Sequence, residues 1–459
     1  MLHDILSIMK NINFINTKIG IWGFGIVGQS VFKYLQPFTN KIQIMDKKSD
    51  ATIPIIPETA ENIVQFLQHN DIIIPSPGIV LHDYQNYAHK FVQELDIFAK
   101  EFQGSTMAIT GTVGKTTVTS LLAQATPEAI AAGNIGYAML HLLNSQTKHQ
   151  KIVLELSSYQ LQYAQNFAPD IAIWTNFYPN HLDHHSNEQE YFDAKCNIIR
   201  HQRKDQIALL PYNLIEKIEK TVQPQAQIYL FNEDMDPRLR EDEETSEQCN
   251  NIKKKYPVFF INNNQLLLQE NNQIKLILNN FDQLADITFQ QNWLVIVAAL
   301  YLQNIDVQNF ATYTKTLKPE PHRCEFVKIL NNVAVYNDSK STVWQAAKHA
   351  VDKFSGKKIA LFLGGISKGT DRTPLIEYLQ NKSIVLFAFG KEAELLANLC
   401  QKFKIAHQSA STLQESLDQY LSQQANFEIL LFSPAGASFD LFKNFEDRGE
   451  QFKKMIHAL

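Results

Sequence analysis

The residues with the clearest chemical potential lie in "AITGTVGKTT", Ala108 to Thr117. An apolar run, "MAI", precedes this loop, and a run typical of a helix, "VTSLLAQA", follows it. Backbone N–H groups of such a loop and helix start can hold phosphate oxygens, while Lys115 supplies a positive charge and Thr116 a hydroxyl ligand for Mg²⁺. The pattern predicts a nucleotide phosphate site, although its glycine, Gly111, comes two places later than in a standard phosphate loop. The phosphate-binding residues predicted here are Gly111, Thr112, Gly114, Lys115, Thr116 and Thr117.

Further candidates follow the loop along the chain. Glu155 ends a strand-like run in "ELSSYQL", where a carboxylate could bind a cation. "NFYPNHLDHH" then brings Asn176, His181 and Asp183, and Lys195 lies in the helical run after it. Each of these residues alone has an ordinary interpretation, as a surface carboxylate, a satisfied polar group or a solvated lysine.

A second glycine turn, "GFGIVG" at Gly23 to Gly28, follows the strand-like run "KIGIW". Asp46 ends the next strand-like run about 20 residues further on, which matches the dinucleotide-binding fingerprint. The same turn can accept any diphosphate, so it does not identify the ligand by itself. An NAD-dependent oxidoreductase would use this turn but would leave the phosphate loop unexplained.

The elements that must position these residues are short β-rich runs alternating with helical runs, in three successive blocks. This alternation predicts an α/β fold with parallel sheets and crossover helices. We expect three domains: a Rossmann-like domain at 1–101, a central phosphate-loop domain at 102–318, and a C-terminal Rossmann-like domain at 319–459. The segment 232–255 is dense in charge of both signs and predicts a solvated surface excursion.

Composition narrows the class of protein. A net charge of -5 over 459 residues argues against a general nucleic-acid-binding surface. The amino-terminal stretch does not resemble a signal peptide, and the apolar run at Trp293 to Leu302 is about half of the ~20 residues that a bilayer span needs. The four cysteines form no C-x-x-C pair and are expected to be buried thiols. We therefore expect a cytoplasmic, monomeric protein without membrane insertion.

The loop T-G-T-x-G-K-[ST], together with "GNIG" at Gly133 to Gly136 and the order of the residues after it, resembles the central domain of the Mur ligase family. These are ATP-dependent, amide-bond-forming enzymes of peptidoglycan synthesis, related to the folylpolyglutamate synthetases. The resemblance implies that ATP is used with two Mg²⁺ ions and that Lys195 is carbamylated. It implies metal ligands at Thr116, Glu155, His181 and Lys195. It implies catalytic roles for Lys115, Glu155, His181 and Lys195. It also implies substrate contacts at Asn134, Ser157 and Gln160.

The C-terminal string "SPAGASFDLFKNFEDRGEQF" resembles the family member that adds D-glutamate. That member joins D-glutamate to UDP-N-acetylmuramoyl-L-alanine through an acyl phosphate, so these two compounds are the expected substrates. The resemblance places D-glutamate contacts at Thr342, Lys368, Ser438 and Phe445, and further ATP contacts at Asn292, Arg323 and Asp338. It places uridine-nucleotide contacts at Gly25, Ile26, Val27, Asp46, Lys47, Ser76, Pro77 and Gly78.

Several positions depart from the family pattern. Val113 stands where Asn is usual, and Asn180 stands where Asp is usual. In the adenine segment G-x-H-N-x-x-N, Asn292 is retained, whereas Gln291 and Val295 replace the His and the second Asn. Two alternatives therefore stay open: a Mur-like nucleotide-binding protein with little or no activity, and another amino-acid-adding or folate ligase.

Overall fold

The computed structural model describes residues 16–48, 53–135, 137–143, 151–179, 185–232, 252, 255–367 and 369–459. They form two compact units: one contains the described parts of 1–177, 184–279 and 298–305, and the other those of 178–183, 280–297 and 306–459. Three largely parallel sheets with connecting helices confirm the α/β class for this part of the chain. The domain boundaries expected at residues 101 and 318 stay predictions.

The amino-terminal sheet belongs to the first unit and has the strand order β3-β2-β1-β4, with all pairs parallel. Its strands are β1 (Ile19–Trp22), β2 (Ile42–Asp46), β3 (Ile56–Pro57) and β4 (Ile72–Pro75); its helices are α1 (Ile26–Leu35), α2 (Ala60–His69) and the following α3 (Glu94–Glu101). Strands β1 and β4 are buried along their whole length, which explains their uninterrupted apolar sequences.

The central sheet, also in the first unit, has nine strands in the order β13-β12-β11-β10-β9-β8-β5-β7-β6. The strands are β5 (Ser105–Thr110), β6 (Ala129–Gly133), β7 (Lys151–Glu155), β8 (Ile171–Trp174), β9 (Ile207–Pro211), β10 (Gln227–Asn232), β11 (Val258–Asn262), β12 (Gln265–Glu270) and β13 (Gln273–Leu278). The helices in this region are α4 (Lys115–Ala125), α5 (Met139–Leu143), α6 (Ser158–Leu161), α7 (Glu188–Arg200) and α8 (Ile215–Val222).

Strand β5 lies between β7 and β8, and both pairs are parallel. Their register pairs Ile109 with Glu155 and Thr110 with Trp174. Because parallel strands end at the same edge of a sheet, the loops after β5, β7 and β8 meet there. This edge is where the phosphate loop lies.

The strands β11, β12 and β13 form an antiparallel extension that the sequence interpretation did not include. The two hairpin turns are Asn pairs, Asn263–Asn264 and Asn271–Asn272, with φ values of 46°, 62°, 49° and 62°. Two-residue hairpins of this kind need positive φ at both central residues, and Asn tolerates that conformation better than most residues. The Asn pairs were therefore available as a hairpin signal.

The second unit contains a six-stranded sheet in the order β14-β15-β19-β16-β17-β18, parallel except for the β14–β15 hairpin. Its strands are β14 (Glu325–Leu330), β15 (Val333–Asn337), β16 (Ile359–Gly364), β17 (Ile384–Phe389), β18 (His407–Ala410) and β19 (Ile429–Phe432). The helices are α9 (Gln290–Leu302, which continues into the first unit), α10 (Phe310–Thr314), α11 (Trp344–Lys353), α12 (Thr373–Leu379), α13 (Ala393–Lys402), α14 (Leu413–Leu421) and α15 (Phe445–His457). Strands β15, β16, β17 and β19 match four runs predicted from sequence.

The expectation for the cysteines is confirmed where it can be examined. Cys196, Cys324 and Cys400 are buried free thiols, as expected, while Cys249 lies outside the described residues. In the described part of the chain, no helix has the length and apolar character to cross a bilayer. Most of the charged segment, 233–251 and 253–254, lies outside the described residues.

Candidate functional site

The phosphate loop connects the end of β5 to the start of α4, as the sequence predicted. Gly111 follows the strand with φ +146°, and a Cβ atom there would lie 2.0 Å from Thr175 Oγ1. Gly114 has φ +85° and precedes the first helical residue, Lys115. This packing explains why glycine is needed at position 111. The backbone there passes so close to Thr175, after β8, that no side chain would fit.

Asn176 and Thr175, at the end of β8, hold the loop. Asn176 Oδ1 accepts hydrogen bonds from the backbone N–H groups of Thr112 (3.2 Å) and Val113 (2.8 Å), and its Nδ2 donates to Val113 O (3.0 Å). Thr175 Oγ1 also donates to Val113 O, at 2.7 Å. Val113 therefore takes part through its backbone, so the loop's conformation does not depend on an Asn side chain at that position.

Lys115 occupies the amino terminus of α4, where the helix dipole already favours anions. Its Nζ donates to the carbonyl oxygens of Gly111 (2.9 Å) and Thr112 (3.0 Å). The side chain is half-buried and curls back over its own loop. This conformation keeps a positive charge beside the loop that the sequence assigns to phosphate.

Glu155 ends β7 and is 2% exposed. Its Oε1 accepts a hydrogen bond from Asn134 Nδ2 at 3.0 Å. Among the described residues, no group donates to Oε2, which is also buried. A buried carboxylate oxygen without a donor is costly unless a cation or another partner satisfies it. Glu155 thus fits the role of a metal ligand.

Lys195, on α7, is 1% exposed and points to the same loop. Its Nζ donates to Gly111 O at 2.8 Å and to Thr110 Oγ1 at 3.4 Å, and lies 4.6 Å from the centre of the Tyr191 ring. Burial, and next the charge of Lys115, lower the pKa of Lys195 well below its usual value, while Glu155 opposes the shift. A lowered pKa favours the neutral amine, which is the nucleophilic form.

Two of the predicted substrate contacts, Ser157 and Gln160, hydrogen-bond to each other. Ser157 and Gln160 form a capping box at the start of α6, with Gln160 N donating to Ser157 Oγ (3.2 Å) and Ser157 N donating to Gln160 Oε1 (3.0 Å). His181 lies outside the described residues, as does Asp183. Within the described residues, no group of three or more His, Cys, Asp or Glu side chains could hold a metal ion.

The amino-terminal glycine turn is tightly packed. A Cβ atom on Gly28 would lie 2.0 Å from Gly23 O, so the start of α1 can approach the turn only with glycine there. Ser76 Oγ donates to Gly23 O at 2.9 Å, and Asp46 accepts from Phe24 N and Lys48 N. Of the other predicted uridine-nucleotide contacts, Gly25, Ile26 and Val27 form the start of α1, Lys47 pairs with Glu58 at 3.7 Å, and Pro77 and Gly78 follow Ser76.

Further predicted residues lie at loops and helix ends of the second unit. Thr342 is exposed after β15, Ser438 is buried after β19, and Phe445 is the first residue of α15. Asn292 Nδ2 donates to Thr288 Oγ1 at 2.8 Å, and Lys368 lies outside the described residues.

Two further ATP contacts were expected in this unit. Arg323 lies just before β14 and is half-buried. Asp338, just after β15, is buried and accepts from Ser433 Oγ (2.6 Å) and Cys324 N (3.1 Å). Burial raises the pKa of Asp338 to about 7, against the lowering effect of these hydrogen bonds.

Comparison with known families identifies the central part of the chain. The family model of the Mur ligase middle domain matches residues 109–258. This chain contains a Mur ligase middle domain. The match includes the phosphate loop, Glu155 and Lys195, and thus every residue of the buried cluster described above.

Full-length relatives and solved structures extend the similarity beyond the Mur ligase middle domain. The chain is 28% identical over 458 residues to the UDP-N-acetylmuramoylalanine--D-glutamate ligase of Oenococcus oeni, covering 98% of each chain. It is 27% identical over 473 residues to the protein of the same name from Borreliella afzelii, covering 99% of each. In fold, it is similar to the MurF ligase of Thermotoga maritima in complex with ADP (TM-score 0.55, 15% identity, 97% and 96% coverage). It is also similar in fold to a pseudomurein peptide ligase type C of Methanothermus fervidus (TM-score 0.55, 16% identity, 96% and 100% coverage).

The sequence interpretation missed residues that hold the Mur ligase middle domain's loops in place. Asn176 was named without a role, and Thr175 was not named at all. Glu94 and Asp96, at the start of α3, are both buried: Glu94 accepts from Leu140 N (3.2 Å), and Asp96 accepts from Gln165 N (2.9 Å). Nothing in the sequence near these residues marks them, because the Leu140, Gln165 and Asn166 N–H groups that they accept from are 46 to 70 positions away.

Proposed function

We propose that this protein is an ATP-dependent ligase that joins D-glutamate to UDP-N-acetylmuramoyl-L-alanine, in peptidoglycan precursor synthesis. The observation that carries the proposal is the pair of lysines, Lys115 and Lys195, that both donate to Gly111 O, with the charge of Glu155 acting on Lys195, within a Mur ligase middle domain. Similarity over nearly the full length to curated D-glutamate ligases supports the choice of substrates.

In this proposal, the phosphate loop binds ATP. The amino terminus of α4 and Lys115 stabilise the negative charge that develops as the γ-phosphoryl group moves to the carboxylate of UDP-N-acetylmuramoyl-L-alanine. Lys115 now donates to two loop carbonyls, and it would exchange these bonds for phosphate oxygens. The product of this step is an acyl phosphate and ADP.

The metal ligands in this proposal are those that the resemblance to the Mur ligase family implies. Thr116, Glu155, a carbamylated Lys195 and His181 would hold two Mg²⁺ ions, which neutralise phosphate charge when bound. Glu155 Oε2 is a buried acceptor that a cation would satisfy. Carbamylation would convert the Lys195 amine into an anion, and the lowered pKa favours the neutral amine that reacts with CO₂.

In the second half of the reaction, D-glutamate is bound and its amine attacks the acyl phosphate. Thr342 and Lys368 would hold one carboxylate of D-glutamate, and Ser438 with the backbone N–H of Phe445 would hold the other. Phe445 begins a 13-residue helix whose dipole favours an anion at that end. The free amine attacks the acyl-phosphate carbonyl, the tetrahedral intermediate collapses, and phosphate leaves as the amide forms.

One assay tests the proposal. Purified protein is incubated with ATP, Mg²⁺, UDP-N-acetylmuramoyl-L-alanine and, one at a time, a panel of amino acids, with products identified by mass and phosphate release measured. We expect phosphate and amide only with D-glutamate and the UDP substrate together, and loss of both in Lys115→Ala. Product with a different amino acid would assign another ligase, and no turnover would leave a nucleotide-binding protein without activity.

A further inference from the structure

Three neighbouring strands of the second unit end at the loops that carry the amino-acid contacts proposed above. Strands β15, β19 and β16 are adjacent and parallel, so their carboxyl ends lie side by side. Thr342 follows β15, Ser438 follows β19, and the loop after β16 leads to Lys368. Such a loop alone would have many conformations. Contacts elsewhere in the unit must therefore fix the distance between the loop residues proposed to bind one carboxylate and those proposed to bind the other.

Arg448 connects two of these loops to α15. It is the fourth residue of the helix and is fully buried. Its guanidinium donates to Gly436 O (2.8 Å), Ser339 O (2.6 Å) and Ser339 Oγ (3.0 Å). Ser339 Oγ in turn donates to Phe445 O at 2.8 Å. Arg448 thus joins the loop after β15 to the loop after β19, and Ser339 extends this connection to the first residue of the helix.

A second arginine offers an informative contrast. Arg372, on the β16 side, donates to Gly364 O (3.3 Å) and Pro434 O (3.4 Å), and its Nη2 lies 2.9 Å from Glu392 Oε2 in an ion pair. In the part of the chain that the structure describes, Arg448 forms no such ion pair. All of its hydrogen-bond acceptors are neutral oxygens.

Burial lowers the pKa of Arg448 to about 10, although the nearby carboxylates of Asp440 and Asp338 favour its charge. A buried guanidinium whose hydrogen bonds go only to neutral oxygens is costly to desolvate, so a residue kept for stability alone would more simply be apolar. Its planar, fixed donors can nevertheless hold several carbonyl oxygens at defined distances, which a lysine or an apolar side chain cannot do. Gly436 is two residues before Ser438, and Phe445 carries the proposed N–H donor. Arg448 therefore acts on both groups proposed to hold the same carboxylate, and on the loop that leads to Thr342.

We propose that Arg448, acting with Ser339, is a positioning residue that fixes the separation between the carboxylate-binding groups and thereby selects the length of the acidic amino acid. This inference rests on the proposed function. Arg448 itself touches no substrate in this proposal; it acts through Ser438, Phe445 and the loop after Ser339. Removing it should loosen the discrimination between D-glutamate and its homologues, shorter or longer by one methylene, rather than abolish the chemistry.

The test compares Arg448→Lys and Ser339→Ala with the wild-type protein and with Lys454→Ala, an exposed residue of the same helix. Steady-state kinetics are measured with D-glutamate, D-aspartate and D-2-aminoadipate, and thermal unfolding is recorded for each protein. We expect KM for D-glutamate to rise at least tenfold in Arg448→Lys and severalfold in Ser339→Ala, and the kcat/KM ratio of D-glutamate to D-aspartate to fall at least fivefold in Arg448→Lys. KM for ATP should stay within twofold, and Lys454→Ala should match the wild type.

Two results would overturn the inference. One is a wild-type selectivity ratio in both variants, even if their melting temperatures fall, because that would make Arg448 structural only. The other is an equal loss of activity with every amino acid, without a change in ratio. In either case, the proposed ligase function would still hold if the wild-type protein turns over D-glutamate. If the wild-type protein uses no dicarboxylic amino acid, both the ligase function and the role of Arg448 are refuted. Should Arg448→Lys not fold, Ser339→Ala, which removes one hydroxyl, decides the outcome.

Discussion

The amine of Lys195 lies 2.8 Å from the carbonyl oxygen of Gly111, the glycine that begins the phosphate loop. A hydrogen bond in the interior thus joins residues 84 positions apart, and Lys195 is only 1% exposed. Lys115 curls over the same glycine. The half-buried amine of Lys115 and the buried carboxylate of Glu155 therefore both act on the buried amine of Lys195, whose protonation depends on both neighbours.

We expect Lys195→Arg to lower kcat at least a hundredfold, because arginine keeps its positive charge and cannot become a carbamate ligand. The wild-type protein should lose activity in buffers depleted of CO₂ and regain it when bicarbonate is added. Mass spectrometry of the intact protein under non-acidic conditions should find the added CO₂. Full activity in Lys195→Arg would contradict the role proposed for this residue.

Asn176→Ala should weaken ATP binding without changing the chemistry. The substitution removes one acceptor and one donor that together fix the backbone of Thr112 and Val113. Hydrogen bonds of this kind contribute about 1 kcal/mol each, so KM for ATP should rise roughly tenfold or more, with a smaller change in KM for the UDP substrate. Asn309→Ala, at an exposed position that caps no helix through its side chain, is the control. An unchanged KM for ATP would show that the loop keeps its conformation without Asn176.

Gln291 stands where the family has histidine, and its Nε2 is buried with no hydrogen-bond partner among the described residues. We expect this donor to bond a ring nitrogen of adenine when ATP is bound. We expect Gln291→Leu to raise KM for ATP about fivefold to tenfold, the effect of one neutral hydrogen bond, while kcat stays near the wild-type value. The adjacent exposed residue provides the control, Gln290→Leu. Equal KM values in the two variants would place adenine recognition elsewhere.

The free energy of unfolding should fall as the pH rises through the pKa values of two buried carboxyl groups of α3, Glu94 and Asp96. Burial raises the pKa of Glu94 from 4.5 to about 7 and that of Asp96 from 3.8 to about 6. At pH values between the unfolded and the folded pKa of each group, the folded state binds more protons than the unfolded state. The free energy of unfolding therefore decreases as the pH rises, and the protonated carboxyl groups are the stabilising forms.

The isosteric variant Glu94→Gln/Asp96→Asn isolates this contribution. Its melting temperature, relative to the wild type, should increase as the pH is raised from 5 to 8, because the amides do not ionise. The buried Asp338 titrates in the same range but is present in both proteins, so it cancels in the difference. A constant difference between pH 5 and pH 8 would show that neither carboxyl group has a raised pKa.

Local features were predictable from the sequence because they depend on neighbours along the chain. The apolar run before the loop, the glycines within it and the helix-forming residues after it were enough to place β5, Gly111 and α4. Similarly, uninterrupted apolar runs identified the buried parallel strands β1 and β16. The β11–β13 extension was not predicted, because alternating strand-like and helical runs indicate parallel crossovers, whereas this extension depends on hairpins whose signal is limited to two Asn pairs.

The sequence alone thus predicted the α/β class and the phosphate loop with Lys115, which residue type, spacing and local context mark. Glu155 and Lys195 became candidates only through the resemblance to a known family. Only the tertiary structure decided how those residues act on one another. That Glu155 keeps an unbonded oxygen, that Asn176 holds the loop and that Arg448 joins two loops to a helix are consequences of strand order and burial. Contacts between distant positions depend on how sheets close and pack, and no local pattern encodes which carbonyl will lie beside which donor.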